Sequence, residues 1–321
     1  QCIGNIYEEL NNDNDQITNI VVATSGDTGA AAISALSNRK NINLFVLHPH
    51  NKISKIQKKI MTTIGGSNIY NIAINGSFDD CQKIVKQMFA DNLFRQTINM
   101  SGVNSINWAR IIFQIVYYFY SFLRLNSKKI NFSVPTGNFG DIYAGYMAKK
   151  MGLPIEKLIV ATNENDILQK AINKGIYKPS KVKASISPSM DIQVSSNFER
   201  LLFYVLKSKD IEVKKLMNNL ETKSFFKLST AQKKLIKRDF AAVKVTNKET
   251  KKIIKKIYKQ NNFFVDPHTA TAFYAANKIK TNHPCVILGT AHPYKFLETM
   301  TSITGKKIKR PSQLSKLMAG K

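Results

Sequence analysis

Residues 130–151, INFSVPTGNFGDIYAGYMAKKM, contain the pattern that decides the fold. The run Ile130–Val134 is typical of a short buried strand, the turn PTGNFGD follows it, and Ile142–Met151 has a helical pattern. A strand that leads through a glycine-containing turn into a helix is the first half of a βαβ unit. The segment therefore predicts a parallel sheet with helices packed on it.

The same alternation of strand and helix extends on both sides of this segment. Predicted strands are Ile17–Thr24, Asn43–Leu47, Ile69–Ile74, Leu158–Thr162 and Cys285–Leu288. Predicted helices are Ala30–Ser37, Ile53–Thr63, Phe78–Ala90, Trp108–Leu123 (apolar, and expected to be buried) and His268–Lys278. The lysine-rich stretch 207–259 is predicted to form solvated helices. We place a domain boundary near residue 100, where the first block of three βα units ends.

Composition indicates an ordinary globular chain. It has 321 residues, of which 43% are hydrophobic and 21% are charged, so disorder, collagen and coiled coil are excluded. No stretch reaches the roughly 18 consecutive apolar residues that a membrane span needs. Cys2, Cys81 and Cys285 are too few and too scattered for a disulfide framework or a metal site. This cysteine usage fits a reducing cytosol, and we expect a cytoplasmic location.

The net charge of +27 permits two interpretations. A basic chain invites a nucleic-acid partner. However, the basic residues are 41 lysines and only seven arginines, in a chain that is also rich in Asn and Ile. Such a composition is what an A/T-rich genome encodes, whereas groove and phosphate readers favour arginine. We therefore expect no nucleic-acid partner.

Three strand-to-helix turns carry candidate chemistry, because ligands of parallel sheets bind at the carboxyl ends of the strands. The first turn is Thr24-Ser25-Gly26-Asp27-Thr28-Gly29. Its glycines permit close backbone approach, and Ser25 and Thr28 add hydroxyls beside the amides of a helix start. Spacing alone supports equally an anion site and an ordinary turn in which Asp27 or Thr28 caps the helix.

The second turn, Pro135-Thr136-Gly137-Asn138-Phe139-Gly140-Asp141, resembles a phosphate cradle at a helix N-terminus. It is neither a Walker A loop nor a GxGxxG fingerprint. The third turn, Gly289-Thr290-Ala291-His292-Pro293, is a weak signal by itself, and a capped turn explains it equally well.

Asn104, Ser105 and Arg110 lie around the start of the long apolar helix. A positive charge at that end opposes the helix dipole, which makes sense where an anion binds. The alternative is an arginine that pairs with a surface carboxylate.

Together these segments resemble the threonine synthase family, whose members are pyridoxal-phosphate enzymes. The matching segments occur in family order and cover the whole chain. They are VVATSGDTGAA (21–31), KISKIQ (52–57), MTT and GG (61–66), NIAINGSFDDCQ (71–82), VNSINWARI (103–111), SVPTGNFGDIYAG (133–145), VATN (160–163) and ILGTAHPYKF (287–296). The resemblance implies the tryptophan-synthase-β-like fold (fold type II), with two open twisted α/β domains and the cofactor cleft between them.

The resemblance also implies an activity, a cofactor and residue roles. Members convert O-phospho-L-homoserine and water into L-threonine and phosphate with pyridoxal 5′-phosphate. The cofactor's phosphate would be held by Gly137, Asn138, Phe139, Gly140 and Asp141. Thr290 would place its hydroxyl on the pyridine nitrogen, where a hydroxyl leaves the ring less protonated than a carboxylate does.

Two further groups would hold the substrate. The carboxylate loop, in the smaller domain 1–100, would be Ser25, Gly26, Asp27, Thr28 and Gly29. The substrate's phosphate would be gripped by Asn104, Ser105 and Arg110. The second turn, Pro135-Thr136-Gly137-Asn138-Phe139-Gly140-Asp141, is called the phosphate turn below; it and Thr290 would belong to the larger domain, 101–321. We expect no metal and no membrane partner, and the sequence leaves a monomer and a homodimer open.

One departure concerns the catalytic lysine. In the family it belongs to a Phe-Lys-Asp motif that this chain does not contain, and Lys52 and Lys58 lie in different motifs. The chain also begins with Gln1 instead of Met. We therefore expect a fragment, with the Schiff-base lysine upstream of Gln1, that binds cofactor weakly and turns over nothing. A smaller departure is Asn51, where the family commonly has glycine; asparagine also tolerates a left-handed turn.

Two alternatives to threonine synthesis stay open. One is another fold-type-II pyridoxal-phosphate lyase, such as a serine or threonine dehydratase. These enzymes act on substrates without a phosphate, so Arg110 distinguishes them. The other alternative is a catalytically silent, basic binding protein, which the charge of +27 and the missing lysine would favour.

Overall fold

The computed structural model describes residues 2–12, 16–24, 26–51, 53, 55–103, 107–309 and 311–312. The chain divides into two compact units, Gln1–Arg110 and Ile111–Lys309. The domain boundary that the sequence places near residue 100 stays a prediction. No helix in the described part of the chain is long and apolar enough to cross a membrane.

The first unit is built on a four-stranded parallel sheet with the strand order β3-β2-β1-β4. Its elements are α1 Cys2–Asn12, β1 Thr18–Ala23, α2 Asp27–Leu36, β2 Ile42–Pro49, α3 Lys55–Thr63, β3 Ile69–Ile74, α4 Phe78–Ala90, α5 Asn92–Thr97 and β4 Met100–Gly102. Helix α6, Trp108–Leu123, follows this sheet in the chain.

Successive residues of β1 point to opposite faces of this sheet, and each face has its own core. Ile20 and Val22 pack with Ile33 of α2 on one face. Val21 packs with Val85 of α4 on the other face. A strand that is buried on both sides is apolar throughout, as the sequence of β1 is.

The second unit is built on a four-stranded parallel sheet with the order β10-β5-β6-β9, and a two-stranded antiparallel pair, β7-β8, accompanies it. Its strands are β5 Ile130–Pro135, β6 Ile155–Thr162, β7 Ile176–Tyr177, β8 Phe226–Lys227, β9 Phe240–Lys244 and β10 Cys285–Ile287. Its helices are α7 Gly140–Lys150, α8 Ile167–Lys174, α9 Phe198–Val205, α10 Asp210–Lys223, α11 Thr230–Asp239, α12 Asn247–Asn261, α13 Pro267–Lys278 and α14 Leu297–Thr304, with short 3₁₀ helices at Pro188–Met190 and Pro293–Phe296.

The first turn and a half of α7 pack closely against Tyr118. The Tyr118 ring is fully buried and lies 4.6 Å from the Phe132 ring, centroid to centroid. A Cβ added to Gly145 would lie 2.4 Å from the Tyr118 ring. Gly145 is therefore needed for the close approach of α6 to α7.

Two expectations from the sequence are wrong. Within the stretch 207–259, residues 240–244 form strand β9 instead of a helix, because Phe240 and Ala242 point into the core while the strand pairs with β6. Helix α6 is not buried: Ile111 and Tyr118 are buried, whereas Ile112, Val116 and Tyr120 are exposed. Arg110, Gln114 and Ser121 lie on one side of this helix, so a largely apolar composition does not mean that the whole helix is buried.

Candidate functional site

The phosphate turn lies at the carboxyl end of β5, where the strand passes into α7. Residues 137 and 138 are partly exposed, and Phe139 and Gly140 are buried. Within the described residues, the amides of residues 137–140 have no acceptor. Free amides at the start of a helix are the donors that a phosphate group accepts from. The turn therefore has donors for an anion, and its role as a phosphate site stays a prediction.

Phe139 gives the turn its shape. It has a left-handed backbone conformation, with φ of 64°, directly before the first residue of α7. Its side chain is 1% exposed and packs edge-on against Phe198, with the ring centroids 5.4 Å apart. A residue other than glycine is uncommon in this conformation, so the buried ring holds the backbone there.

A segment that the sequence analysis missed, residues 185–197, packs against this turn. A Cβ on Gly137 would lie 2.9 Å from Cδ1 of Ile192 and 3.2 Å from Cα of Met190, so the segment lies directly on the glycine. Asn197 donates both its backbone amide and its Nδ2 to the Asn138 carbonyl oxygen, each at 3.1 Å.

Asp191 fixes the middle of this segment by hydrogen bonds to the end of β6. Its Oδ1 accepts from Nδ2 of Asn163 at 2.7 Å, from Nδ2 of Asn165 at 3.0 Å and from the Ser185 hydroxyl at 2.6 Å. Its Oδ2 accepts from the Ser185 amide at 2.9 Å. Burial raises the pKa of the Asp191 carboxyl, and these hydrogen bonds oppose the rise.

Asp141, the last residue of the phosphate turn, contacts Tyr118. The Tyr118 hydroxyl donates to the main-chain carbonyl of Asp141 at 2.8 Å and lies 3.1 Å from its Oδ1. Desolvation raises the pKa of the Asp141 carboxyl to about 6, although the hydrogen bond from Tyr118 lowers it. The carboxyl is therefore partly protonated near pH 6.

Thr290 is exposed and follows β10, at the carboxyl edge of the same sheet as the phosphate turn. Its amide lies 3.4 Å from Oγ1 of Thr269, which donates its own proton to the Asp266 carboxylate. Asp266 caps α13 and also faces Nδ1 of His268 at 3.2 Å. The Nε2 atom of that histidine accepts from the Ser189 amide at 3.2 Å.

In the first unit, the carboxylate loop also leads from a strand into a helix. Gly26 has φ of 130°, which glycine adopts without strain. The Thr24 hydroxyl oxygen accepts from the amides of Gly26 and Gly29 at 2.9 and 2.8 Å, so this buried threonine, which the sequence analysis did not single out, organises the loop. The Thr28 amide has no acceptor within the described residues. Ser25 lies outside the described residues.

Arg110 lies in the first turn of α6 and is partly buried. Its Nη1 donates to the Val103 carbonyl at 3.2 Å, and within the part of the chain that the structure describes it pairs with no carboxylate. Burial lowers the pKa of its guanidinium, which stays charged at neutral pH. Asn104 and Ser105 lie outside the described residues.

The sequence analysis also considered Lys52, Lys58, Asn51 and a metal site. Lys58 is exposed on α3, and Lys52 lies outside the described residues. Asn51 has φ of 56°, so it does adopt the left-handed turn that the sequence predicts. No group of three or more histidine, cysteine, aspartate or glutamate residues among those described could hold a metal ion.

Comparison with known proteins gives the family. A family model described as "Pyridoxal-phosphate dependent enzyme" matches residues 3–290, and one described as "Threonine synthase, C-terminal" matches residues 269–321. Threonine synthases of Saccharomyces cerevisiae and Pseudomonas aeruginosa are 43% and 44% identical over 94% of this chain. The chain spans 65% of the length of each of these relatives.

A solved structure agrees with these sequence comparisons. The crystal structure of pyridoxal-phosphate-bound threonine synthase from Brucella melitensis matches with a TM-score of 0.93 and 43% identity, covering 99% of this chain and 69% of that one. Two parallel α/β sheets with a phosphate turn after β5 thus define a pyridoxal-phosphate-dependent protein of fold type II. Within that class, the chain belongs to the threonine synthase family.

Proposed function

We propose that the protein converts O-phospho-L-homoserine and water into L-threonine and phosphate, with pyridoxal 5′-phosphate as cofactor. The observation that carries the proposal is that the amides of residues 137–140 have no acceptor in the part of the chain that the structure describes, in a chain of this family. When bound, the cofactor supplies the electron sink that makes the bonds around the substrate's α-carbon labile. The chain's own residues would bind and orient the cofactor and the substrate, and would hold protons.

The amides of residues 137–140 would donate to the cofactor's phosphate, with the positive end of the α7 dipole behind them. Asp141 would be the acidic member of this turn. Its raised pKa leaves the carboxyl partly protonated near pH 6, which reduces its repulsion of a phosphate dianion.

The Thr290 hydroxyl would lie on the pyridine nitrogen of the cofactor. Thr290 is exposed at the carboxyl edge of the sheet, and its side-chain hydroxyl has no partner among the described residues. A neutral hydroxyl, unlike a carboxylate, does not hold a proton on that nitrogen. Thr290 would in this way moderate the electron withdrawal that the chemistry uses.

The substrate would be held at both of its charged ends. The loop Ser25, Gly26, Asp27, Thr28 and Gly29 would take the α-carboxylate. Asn104, Ser105 and Arg110 would take the phosphate. Arg110 supports this role because it is charged and partly buried and pairs with no carboxylate of the described residues. A buried charge of this kind is stable when an anion faces it.

The proposal extends to the lysine. None of the 41 lysines of the chain stands in a Phe-Lys-Asp context, so we infer that none of them forms the Schiff base. The chain of 321 residues would then bind cofactor and substrate weakly and produce no threonine. Formation of threonine from O-phospho-L-homoserine by this chain alone would overturn the inference.

Arg110→Ala tests the phosphate grip in the protein translated from the whole gene. A charge-assisted phosphate contact contributes about 1.5–3 kcal/mol, so kcat/KM for O-phospho-L-homoserine should fall by roughly ten- to a hundredfold. Arg124→Ala is the matched control. It removes the same charge just after α6, where Arg124 lies over the Tyr120 ring, and should leave kcat/KM unchanged. Equal kcat/KM for Arg110→Ala and the unaltered protein would show that the grip is assigned wrongly.

The proposal also includes the partners of the protein and its location in the cell. The substrate is a small molecule, and we propose no nucleic-acid partner, because the lysines of the long helix α12 lie on its exposed face while Ile253, Ile254 and Ile257 face inward. Such lysines form an ordinary solvated surface. The three cysteines are free thiols, which fits a cytoplasmic location.

A further inference from the structure

The Asn138 carbonyl oxygen is held by one residue from two directions. Asn197 donates to it through its backbone amide and through Nδ2, each at 3.1 Å. A carbonyl oxygen has two lone pairs, so both bonds can form at once. The direction of this carbonyl is thus set by a residue 59 positions further along the chain.

The same two bonds also set the direction of the Phe139 amide. The Asn138 carbonyl and the Phe139 amide belong to one peptide unit, and no described peptide bond is cis. In a trans peptide the C=O and N–H groups point in opposite directions. Because the carbonyl points to Asn197, the Phe139 N–H points away from it. This amide is one of those with no acceptor among the described residues.

Asn197 opposes a rotation of the 138–139 peptide that would otherwise be favourable. Phe139 is held at φ of 64°, a conformation that costs a residue with a side chain free energy. Rotation of the 138–139 peptide would relieve this strain and would aim the Phe139 amide elsewhere. Two hydrogen bonds on the carbonyl, together with the buried Phe139 ring, hold the peptide against that rotation.

Asn197 is itself rigid. It is 0% exposed, and its Oδ1 accepts from Nε of Arg200 at 3.0 Å, so its Nδ2 must face Asn138. Two hydrogen bonds fix the segment that leads to Asn197. Asp191 accepts from Nδ2 of Asn163, just after β6, at 2.7 Å, and His268 of α13 accepts from the Ser189 amide at 3.2 Å. The side chain therefore has one available position.

We propose that Asn197 is a positioning residue for the cofactor's phosphate. It turns the Asn138 carbonyl inward so that the Phe139 amide faces the phosphate. This inference rests on the proposed function, because it assumes that the phosphate turn binds pyridoxal phosphate. Asn197 lies outside the phosphate turn, and it would determine how many amides of the turn donate to the phosphate.

The test compares two ligands that differ only by the phosphate, pyridoxine 5′-phosphate and pyridoxine. Neither has an aldehyde, so the 41 lysines cannot capture them covalently. Dissociation constants for both are measured by equilibrium dialysis with the protein translated from the whole gene. The ratio of the two constants reports the phosphate contact alone, and a general loss of packing would change both constants together.

Loss of one aligned amide should reduce the preference for the phosphorylated ligand about tenfold in Asn197→Ala. Asn197→Asp should reduce it further, since its carboxylate faces the Asn138 carbonyl with no donor. Asn218→Ala is the control: it makes the same change at an exposed position of α10, and should keep the ratio unchanged. Far-UV circular dichroism checks folding. If Asn197→Ala fails to fold, Asn197→Ser replaces it with the same expected direction.

Each outcome decides a different claim. If the unaltered chain prefers the phosphorylated ligand and Asn197→Ala keeps that preference, the role of Asn197 is wrong and the proposed cofactor site stands. If the unaltered chain has no preference, the phosphate turn is not a phosphate site, and the proposed function falls together with this inference. A reduced preference in both Asn197 variants, with Asn218→Ala unchanged, supports the inference.

Discussion

At the scale of single residues, Phe139 combines a strained backbone with a buried ring. Its left-handed conformation costs about 1–3 kcal/mol, and its packing against Phe198 and Phe240 offsets that cost. The sequence predicts a turn here but gives no reason to expect an aromatic residue at this position, where glycine would be free of strain. The ring becomes intelligible only with the structure, because the core that receives it comes from distant helices and a distant strand.

Asp141 makes stability depend on pH in an unusual direction. Burial raises the pKa of its carboxyl from 3.8 to about 6 in the folded chain. Below about pH 4 both folded and unfolded chains hold the proton. Between about pH 4 and pH 6 the unfolded chain releases the proton while the folded chain still holds it, so folding loses stability of the order of 3 kcal/mol as the pH rises across this window. We expect Asp141→Asn to be more stable than the unaltered chain at pH 7 and nearly equal at pH 4.

Urea unfolding at pH 4, 5.5 and 7 measures this difference. Asp210→Asn is a suitable control, because Asp210 lies exposed at the start of α10 and its pKa is lowered by Lys214. This variant should not gain stability between pH 4 and 7. A constant free-energy difference between Asp141→Asn and the unaltered chain across this range would contradict the raised pKa.

At the scale of secondary-structure elements, local signals predict well where they are strong. Helix α4 begins at Phe78 as predicted, because Ser77 and Asp80 form a capping box. Strand β9 was missed because its residues stand in a lysine-rich stretch with helical composition, and its two buried side chains, Phe240 and Ala242, are too few to show alternation. Pairing with β6, a long-range interaction, decides the strand.

The same distinction applies to the candidate site. The phosphate turn and the carboxylate loop were predictable, since each is one local strand-turn-helix sequence. Asn197 and Asp191 were not, because their partners Asn138 and Asn163 are far away in the sequence and no local periodicity connects them. The resemblance to the family gave roles to the turns but not to the residues that hold them.

Helix α13 depends on its cap, and this gives an element-scale prediction. The Asp266 carboxylate is buried and accepts from the His268 amide at 2.9 Å and from the amide and hydroxyl of Thr269. Asp266→Ala removes the cap and leaves buried donors without partners, which should cost about 2–4 kcal/mol. Asp266→Asn should cost less, because asparagine also caps helices.

Urea unfolding at pH 7 measures the free energy of unfolding that each of these variants loses. Asp91→Ala is the control, because Asp91 caps the short helix α5 with an exposed hydrogen bond to Phe94 and should cost no more than about 1 kcal/mol. If Asp266→Ala costs no more than Asp91→Ala, burial does not strengthen the cap of α13.

At the scale of the whole molecule, each of the two compact units has a strand-to-helix turn in which some amides have no acceptor among the described residues, Thr28 in the first unit and residues 137–140 in the second. Among the residues that give the net charge of +27, the lysines of α12 lie on its exposed face. In the proposed function, Arg110 would face the substrate's phosphate. This role would distinguish the proposed reaction from that of a dehydratase, whose substrate has no phosphate.

The most direct test of this account is the reaction itself. The protein translated from the whole gene is incubated with pyridoxal 5′-phosphate and O-phospho-L-homoserine, and L-threonine and inorganic phosphate are quantified together. The account predicts that both form in a 1:1 ratio. Absence of both products, combined with formation of a 2-oxo acid and ammonia from L-threonine or L-serine, would contradict it and indicate a dehydratase.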